Sequence, residues 1–245
     1  MPTAWPVAPS AHPGAWPRLL GPCEVCRRWS PAALCADCVA RFGAPRPRCA
    51  RCGLALGAAS AACGACLREP PPFERTVCGA DYRFPWDGLI TEFKFQGRVE
   101  LAAALGRLLA AAVCRAAVPR PALLLPVPLA DARLRERGYD QAWALARVLA
   151  RALRLPAEAR LLQRPLATVH QATLDRAARQ RNLRAAFMVD PRRRPAVQGQ
   201  RIALVDDVMT TGATVREAAS ALLRAGAAAV DVWVVARTPA DADAG

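Results

Sequence analysis

The chain has 245 residues, of which 53% are hydrophobic and 22% are charged. That length accommodates one α/β domain of ordinary size plus a small module, and the apolar content excludes a disordered chain. The most apolar long segment, residues 101–118, contains Arg107 and Arg115, so it indicates an amphipathic helix and excludes a membrane span. The formal net charge of +14 favours acidic partners and leaves contact with nucleic acid open.

The first 22 residues are rich in proline and contain one arginine, Arg18, and no lysine. A secretory signal peptide starts with a basic segment followed by an apolar core, and residues 1–22 do not follow that pattern. We therefore expect residues 1–22 to form an N-terminal tail, residues 239–245 to form a C-terminal tail, and the protein to be cytoplasmic.

Eight of the ten cysteines occur as four C-x-x-C pairs. Each pair can direct two sulfurs at one metal ion, and two pairs complete a closed site of four thiolates, which is typical of structural zinc. The sequence therefore predicts a double zinc ribbon over residues 23–69 that holds two zinc ions. The predicted ligands are Cys23, Cys26, Cys35, Cys38, Cys49, Cys52, Cys63 and Cys66.

Two pairings of these four C-x-x-C turns fit the spacing. In a sequential arrangement the first turn joins the second and the third joins the fourth, whereas a crossed arrangement joins alternate turns. Disulfides are the alternative chemistry, but they require an oxidising compartment, and the missing signal-peptide pattern argues against one. We interpret the two remaining cysteines, Cys78 and Cys114, as small buried side chains.

Basic side chains lie close to the cysteine turns. Cationic surfaces that carry aromatic side chains bind single-stranded nucleic acid, so single-stranded DNA is a candidate partner of the ribbon. The alternatives are a protein docking surface and a simple folding element. The side chains concerned are Arg27, Arg28, Trp29, Arg46, Arg48 and Arg51.

Three prolines at 70–72 mark the end of this module, and the apolar pattern then predicts strands alternating with helices over residues 73–238. This alternation indicates an α/β fold with a mostly parallel sheet wrapped by helices. Strands are predicted at residues 76–84, 122–127, 187–189, 202–205 and 230–235, and helices at residues 86–95, 100–117, 140–153 and from Thr214 onward. Residues 133–139 are predicted to form a basic loop.

Ligands of a parallel sheet bind beyond the C-terminal ends of its strands. The loop after Val205 and the loop at residues 126–129 should meet there. Three arginines follow the second loop, namely Arg133, Arg135 and Arg137, and they are candidates to neutralise a pyrophosphate. The alternative interpretation is a solvated basic surface.

Residues 164–184 form a long polar segment. Long loops in small domains are usually functional or disordered, and a basic flap that closes over a polyphosphate would suit this one. His170 lies in this segment, but a lone histidine in a loop is usually just exposed, so we assign it no catalytic role.

Residues 202–214 form the most informative motif. Four apolar residues predict a buried strand that presents Asp206 and Asp207 at its C-terminal end. A turn rich in hydroxyl groups follows, and Thr214 with Glu217 fits a capping box at the start of a helix. Such a turn and helix N-terminus can bind phosphate, while the carboxylates suit ribose hydroxyls or hydrated Mg²⁺.

A P-loop ATPase is the rival interpretation of an acidic strand end. That site requires a lysine directly after a glycine-rich loop. Lys94 is the one lysine of the chain and it follows Glu92-Phe93, so a P-loop is excluded. In a chain whose other basic side chains are arginine or histidine, a single lysine suggests a role on the pyrophosphate side of the site, and an exposed helix lysine is the alternative.

Residues 202–214 resemble the signature by which type I phosphoribosyltransferases bind 5-phosphoribosyl 1-pyrophosphate (PRPP) with Mg²⁺. The resemblance implies that Asp206 and Asp207 hold the ribose diol as the catalytic carboxylates. It also implies that the side chains and amides of the following turn hold the 5-phosphate. These residues are Thr210, Thr211, Gly212, Ala213 and Thr214.

The chain resembles the ComF (competence protein F) family from about Cys23 to Thr238. This resemblance implies a type I phosphoribosyltransferase-like sheet with helices on both faces, behind a double zinc ribbon. It also implies a role in DNA uptake during natural transformation, beside a helicase-like partner. The matching motifs are the four cysteine pairs, Phe93-Lys94-Phe95, Gly97-Arg98, Pro126-Val127-Pro128-Leu129, the segment 133–139, Gln141-Ala142, Gln171 with Leu174, Arg179 with Asn182, Ala186-Phe187 and the segment 206–214.

Two positions depart from that family. Ala130 stands where these proteins usually have histidine, and Asp140 stands where asparagine is common. If the histidine takes part in handling pyrophosphate, its replacement is expected to impair catalysis while still allowing PRPP binding.

Three functions fit the sequence. The first, which we favour, is a phosphoribosyltransferase whose acceptor the sequence does not identify. The second is a non-catalytic module that senses PRPP or a nucleotide while its ribbon docks single-stranded DNA or a helicase-like partner. The third is a structural adaptor with an unused site.

Overall fold

The computed structural model of the protein describes residues 21–57, 61–164 and 186–240. Its strands are β1 (Gly21–Pro22), β2 (Trp29–Ser30), β3 (Arg75–Asp81), β4 (Leu123–Pro126), β5 (Leu162–Gln163), β6 (Met188–Val189), β7 (Arg201–Met209) and β8 (Ala229–Arg237). Its α-helices are α1 (Ala36–Phe42), α2 (Gly64–Arg68), α3 (Trp86–Phe95), α4 (Leu101–Ala116), α5 (Asp131–Arg137), α6 (Gln141–Leu153) and α7 (Ala213–Arg224), and a 3-10 helix covers Pro191–Ala196.

The central sheet has four parallel strands in the order β3–β8–β7–β4. The β4 strand ends where Pro126 lies beside Val205, whereas β7 and β8 continue together to the pair Met209 and Arg237. The last four residues of β7 therefore extend past β4, and they form one side of an open corner at the C-terminal edge of the sheet.

Two apolar layers cover the sheet because the side chains of each strand alternate between its faces. Ala203 and Val205 of β7 point into the layer formed by α3, α4 and α6. Ile202 and Leu204 point into the opposite layer, which includes α7 and three buried cysteines of the ribbon. The predicted α/β class, with a parallel sheet and helices on both faces, is confirmed.

The predicted strand at residues 202–205 is longer than expected. The observed β7 runs to Met209, so Asp206 and Asp207 lie inside the strand and not just after its end. The predicted helix start is also one residue late, since α7 begins at Ala213 after Gly212. The expected capping box is absent, because Gly212 is the N-cap residue and makes no side-chain cap.

The predicted basic loop at residues 133–139 is wrong, because residues Asp131–Arg137 form α5. Its composition of Ala, Leu, Glu and Arg favours a helix, with Asp131 in the first turn and no Gly or Pro inside. Gly138 ends the helix in the left-handed conformation, at a φ of 75° that a glycine adopts without strain.

The strand predicted at residues 187–189 is not part of the central sheet. Met188–Val189 instead pairs antiparallel with Leu162–Gln163 as a separate two-stranded sheet. The segment between these strands, residues 165–185, lies outside the described residues, and so does most of the predicted flap with His170, Gln171, Leu174, Arg179 and Asn182.

The cysteine module packs directly against this fold. The indole Nε1 of Trp86 at the start of α3 donates a 2.8 Å hydrogen bond to the carbonyl of Phe42 at the end of α1. The hydroxyl of Thr76 in β3 donates a 2.6 Å hydrogen bond to the Arg51 carbonyl. Among the described residues, no helix combines the length and apolarity that crossing a bilayer requires.

Candidate functional site

The eight paired cysteines form two separate groups of four. Cys23, Cys26, Cys35 and Cys38 form the first cluster, and Cys49, Cys52, Cys63 and Cys66 form the second. Within each cluster the four sulfurs lie within 4.8 Å of one another. The turns therefore pair in sequence, first with second and third with fourth.

These distances fit tetrahedral zinc. A Zn–S bond of about 2.3 Å places two ligand sulfurs about 3.8 Å apart. The Sγ atoms of Cys26 and Cys35 are 3.7 Å apart, and those of Cys52 and Cys63 are 3.6 Å apart. The backbone amide of Cys52 also donates to the Cys49 sulfur at 3.5 Å, an interaction that suits a thiolate. All eight cysteines are free of disulfides, so each cluster offers four thiolates to one ion.

The other two cysteines are not placed with the clusters. Cys78 is buried in β3, and its thiol points at the Gly53 carbonyl at 3.7 Å. Burial raises the pKa of Cys78 to about 12, so this thiol stays protonated at neutral pH. Cys114 is half-buried in α4.

The basic surface expected around the ribbon is partly neutralised. Arg28 pairs with Asp37 at 2.7 Å. Arg46 and Arg48 both reach the carboxylate of Asp81, at 2.6 Å and 2.7 Å, and thereby attach the ribbon to the end of β3. Trp29 remains 74% exposed, so an aromatic surface is present without most of the free charge that was expected around it.

The acidic pair stands at the open corner of the sheet. The Asp206 carboxylate accepts a 2.8 Å hydrogen bond from the Asp207 amide, and the Asp207 carboxylate accepts a 2.6 Å hydrogen bond from the Val208 amide. These bonds fix the orientation of both carboxylates at the point where β4 no longer covers β7.

Residues 210–212 form the turn between β7 and α7. Gly212 has a φ of 82°, in the left-handed region that glycine adopts without strain, so any other residue would strain the turn at this position. The Thr211 hydroxyl accepts a 3.3 Å hydrogen bond from the Ala213 amide. The amides of a first helical turn have no intrahelical acceptor, so the turn offers hydroxyl and amide donors to an anion.

One cavity of about 300 Å³ joins these features. Both loops expected at the C-terminal edge line it, so their predicted meeting is confirmed. Its lining includes residues from β7, from α7 and from the loop after β4, together with one lysine and three arginines. The lining residues are Tyr82, Lys94, Val127, Pro128, Leu129, Arg133, Arg137, Arg164, Asp206, Asp207, Val208, Thr210 and Thr214.

Lys94 reaches the acidic pair from the last turn of α3. Its ammonium lies 2.9 Å from an oxygen of Asp207, and the two side chains are 18% and 9% exposed. Burial, followed by the charge of Asp207, raises the pKa of Asp206 to about 8, and Lys94 opposes this shift. The interpretation of Lys94 as an exposed helix residue is therefore wrong.

The three candidate arginines of α5 separate in the structure. Arg133 and Arg137 line the cavity. Arg137 also lies 4.7 Å above the Phe95 ring and donates a 3.1 Å hydrogen bond to the Gln141 side chain. Arg135 is exposed and donates to the Asp131 carbonyl of its own helix, and it is not among the residues that line the cavity.

Residues 122–244, half of the chain, match the family described as phosphoribosyl transferase domain. The DNA utilization protein YhgH of Escherichia coli K12 is 42% identical over 179 residues, which cover 71% of this chain and 77% of that protein. The competence protein F of Haemophilus influenzae is 35% identical over 178 residues, with the same two coverages. The competence protein ComFC of Bacillus subtilis is 31% identical over 140 residues, which cover 57% of this chain and 54% of that protein.

The chain belongs to the ComF family of phosphoribosyltransferase-domain proteins. The matched segment of this ComF protein contains β4, α5, α6, β7, α7 and β8, and with them most of the cavity walls. The resemblance inferred from the sequence is thereby confirmed, and the two cysteine clusters agree with the double zinc ribbon.

Sequence reasoning missed Tyr82, which follows β3 and lines the ComF cavity. Arg164, the first residue of the predicted basic flap, also lines the cavity. Sequence reasoning named Asp140 without its structural role, which is the N-cap of α6, where it accepts a 2.9 Å hydrogen bond from the Trp143 amide. Burial raises the pKa of Asp140, to which the charge of Asp207 also contributes. A polar residue immediately before an apolar helical stripe was the available signal for this cap.

Replacing Lys94 by methionine should destabilise this ComF protein by about 2 kcal/mol, because Asp207 would lose its cation in a mostly buried place. The figure lies below that of a fully buried pair, since 18% of the Lys94 side chain remains exposed. Lys94→Arg keeps the charge and should recover at least half of the loss. Urea unfolding at pH 8 measures both variants, and equal midpoints for wild type and Lys94→Met would contradict the role of the pair.

Proposed function

We propose that this ComF protein binds PRPP with Mg²⁺ in the cavity and transfers its phosphoribosyl group to an acceptor. The observation that carries the proposal is the placement of three kinds of group in one cavity. A carboxylate pair, a turn of hydroxyl and amide donors, and four cations all line it or adjoin it. PRPP carries a diol, a monophosphate and a pyrophosphate, and each corresponds to one of these groups.

The carboxylates suit the ribose end of such a ligand. Asp206 and Asp207 would accept hydrogen bonds from the two ring hydroxyls, and the geometry of both is set by adjacent amides. The 5-phosphate would lie against Thr210, Thr211, Gly212, Ala213 and Thr214 at the N-terminus of α7.

The cations suit the pyrophosphate. Arg133 and Arg137 face the same cavity as Lys94, so charge that develops on a departing pyrophosphate would meet fixed positive groups. Magnesium bound with PRPP would neutralise further charge on the phosphate oxygens. The chain contributes by orienting the ribose and by stabilising the leaving group, and Arg135 has no place in this scheme.

The cellular role that we propose is DNA uptake or use in the cytoplasm. The names of the relatives, DNA utilization protein and competence protein, support it. The exposed Trp29 on the ribbon supports contact with single-stranded DNA or with a helicase-like partner, although the ion pairs of Arg28, Arg46 and Arg48 weaken the electrostatic part of that argument.

Calorimetric titration of the zinc-loaded protein with PRPP and Mg²⁺ tests the site. We expect one PRPP per chain, with binding weakened by added pyrophosphate because both compete for the same cations. Pyrophosphate release with a panel of bases then separates a transferase from a sensor. Absence of binding at millimolar PRPP would refute the proposal, since the carboxylates and the turn would then have no phosphoribosyl ligand.

The PRPP affinity measured by this titration should depend on pH. The raised pKa of Asp206, about 8, means that this carboxyl is mostly protonated at pH 6.5 in the free protein. Binding that needs its ionised form must release the proton, so PRPP affinity should rise by up to about tenfold per pH unit below 8 and level off above it. An affinity that falls as the pH rises from 6.5 to 8 would contradict this role of Asp206.

A further inference from the structure

Arg237, the last residue of β8, joins three separate segments. Its Nε donates to the Cys52 carbonyl at 3.1 Å. One terminal nitrogen donates to the Met209 carbonyl at 3.1 Å and to the Thr238 carbonyl at 2.8 Å. A planar guanidinium holds its donors in a fixed arrangement, so these three carbonyls are fixed relative to one another.

Two of these carbonyls belong to residues at the proposed binding sites, Cys52 in the second cluster and Met209 beside the phosphate-binding turn. Cys52 is a sulfur donor of the second cluster, so its backbone position depends on whether that cluster holds a metal ion. Met209 ends β7 and directly precedes the turn at residues 210–212. The Met209 backbone continues directly into the turn, so a shift of its carbonyl would move the turn.

The apolar packing around Arg237 also connects Cys52 with Met209. The buried cysteines of the second cluster share one apolar cluster with Met209 and with Val215 of α7. The first cluster is attached elsewhere, where Arg98 pairs with Glu24 at 2.7 Å, close to Cys23 and remote in sequence from the turn. The two zinc clusters thus differ in their connection to the cavity.

We propose that Arg237 is a positioning residue that couples the second zinc cluster to the phosphate-binding turn. Zinc in this cluster holds the Cys52 carbonyl, Arg237 transmits that position to Met209, and the turn keeps the geometry that receives the 5-phosphate. Because coupling between two binding sites is reciprocal, PRPP must in turn raise the zinc affinity of the second cluster, and we expect this gain as slower zinc release. This inference rests on the proposed binding of PRPP at the turn.

Zinc release from the full-length protein tests the coupling without any assay of activity. A chromogenic chelator is added to the zinc-loaded protein, with and without saturating PRPP and Mg²⁺, and the release of both ions is followed. We expect PRPP to slow the release of one ion by about tenfold and to leave the other unchanged, in the range of ordinary coupling between sites. Equal release rates with and without PRPP would overturn the inference.

Two matched variants assign the effect to Arg237. In Arg237→Gln the slowing by PRPP should fall to less than about twofold, whereas Arg98→Gln, which removes the ion pair with Glu24 beside the first cluster, should keep it. Arg237→Lys serves as a milder replacement if Arg237→Gln folds poorly, since one ammonium cannot hold three carbonyls in the same plane. Full slowing in both Arg237 variants would refute the role of this side chain.

The titration described above separates the two proposals. If the wild-type protein binds PRPP and its zinc release does not respond, the coupling is wrong and the PRPP site stands. If the wild-type protein does not bind PRPP, both proposals fail together.

Discussion

Replacing Cys49 by serine is expected to destabilise the whole protein far more than replacing Cys26 by serine. Cys49 is fully buried and belongs to the same apolar cluster as the sheet residues Ile202 and Leu204. Loss of zinc from the second cluster would therefore open a cavity beside the main core. Cys26 is exposed and belongs to the first cluster, whose cysteines are not members of either buried apolar layer of the sheet.

The expected magnitudes follow from this difference. Structural zinc contributes about 10 kcal/mol or more to the folding of isolated zinc peptides, and loss of a metal is among the few single changes that exceed about 4 kcal/mol. We expect Cys49→Ser to cost more than about 4 kcal/mol and to lower the main melting transition. Cys26→Ser should cost about 1–2 kcal/mol and act by local unfolding of the first turns.

Zinc content and calorimetric melting measure both effects. Each variant should retain one zinc ion in place of two. Cys114→Ser provides the matched control, because Cys114 lies in α4 away from both clusters and should leave zinc content unchanged. Equal melting temperatures for Cys49→Ser and Cys26→Ser would show that the second cluster is not part of the core.

Local patterns explain which elements could be predicted from the sequence. The helix predicted at residues 86–95 has those bounds in the structure, because its apolar stripe and its flanking residues agree. The C-x-x-C spacing likewise places two metal ligands within a few residues of each other, so the metal sites could be predicted from the sequence. The acidic motif at 206–214 is also contiguous, so its parts could be recognised before their arrangement was known.

The rest depends on residues that are distant in sequence. The partner of Lys94 is Asp207, 113 positions later, and no periodicity connects them. Arg237 is similarly separated from Cys52 and Met209. The α5 helix was missed for a different reason, since its many arginines suggested a solvated loop although their propensity favours a helix. Long-range pairs and dense charge are the two features that the sequence pattern did not resolve.

Replacing Asp206 and Asp207 together by asparagine is expected to weaken PRPP binding by at least about 100-fold. Each ionised carboxylate that accepts a hydrogen bond contributes about 1.5–3 kcal/mol more than an unmade bond, and two such losses exceed the 2.7 kcal/mol that a hundredfold change requires. Asparagine keeps an oxygen for the amides of Asp207 and Val208, so the backbone geometry of β7 should persist.

The fold should tolerate this double change. Asn at position 206 removes a carboxyl whose pKa is raised to about 8 by burial and by the neighbouring charge, which relieves an unfavourable ionisation at alkaline pH. Lys94 loses its partner but retains partial exposure to solvent. We therefore expect a melting temperature within a few degrees of the wild type, which separates loss of binding from loss of structure.

Asp231→Asn is the appropriate control for the double variant. Asp231 is also buried and contacts an arginine, Arg201, at 3.2 Å, but it lies near the start of β8, at the opposite end of the sheet. Its replacement should leave the PRPP affinity unchanged while testing the cost of losing a buried carboxylate. If the Asp206/Asp207 double variant binds PRPP as tightly as the wild type, the ligand does not contact these carboxylates. The site would then have to be rebuilt around Arg133, Arg137 and the turn alone.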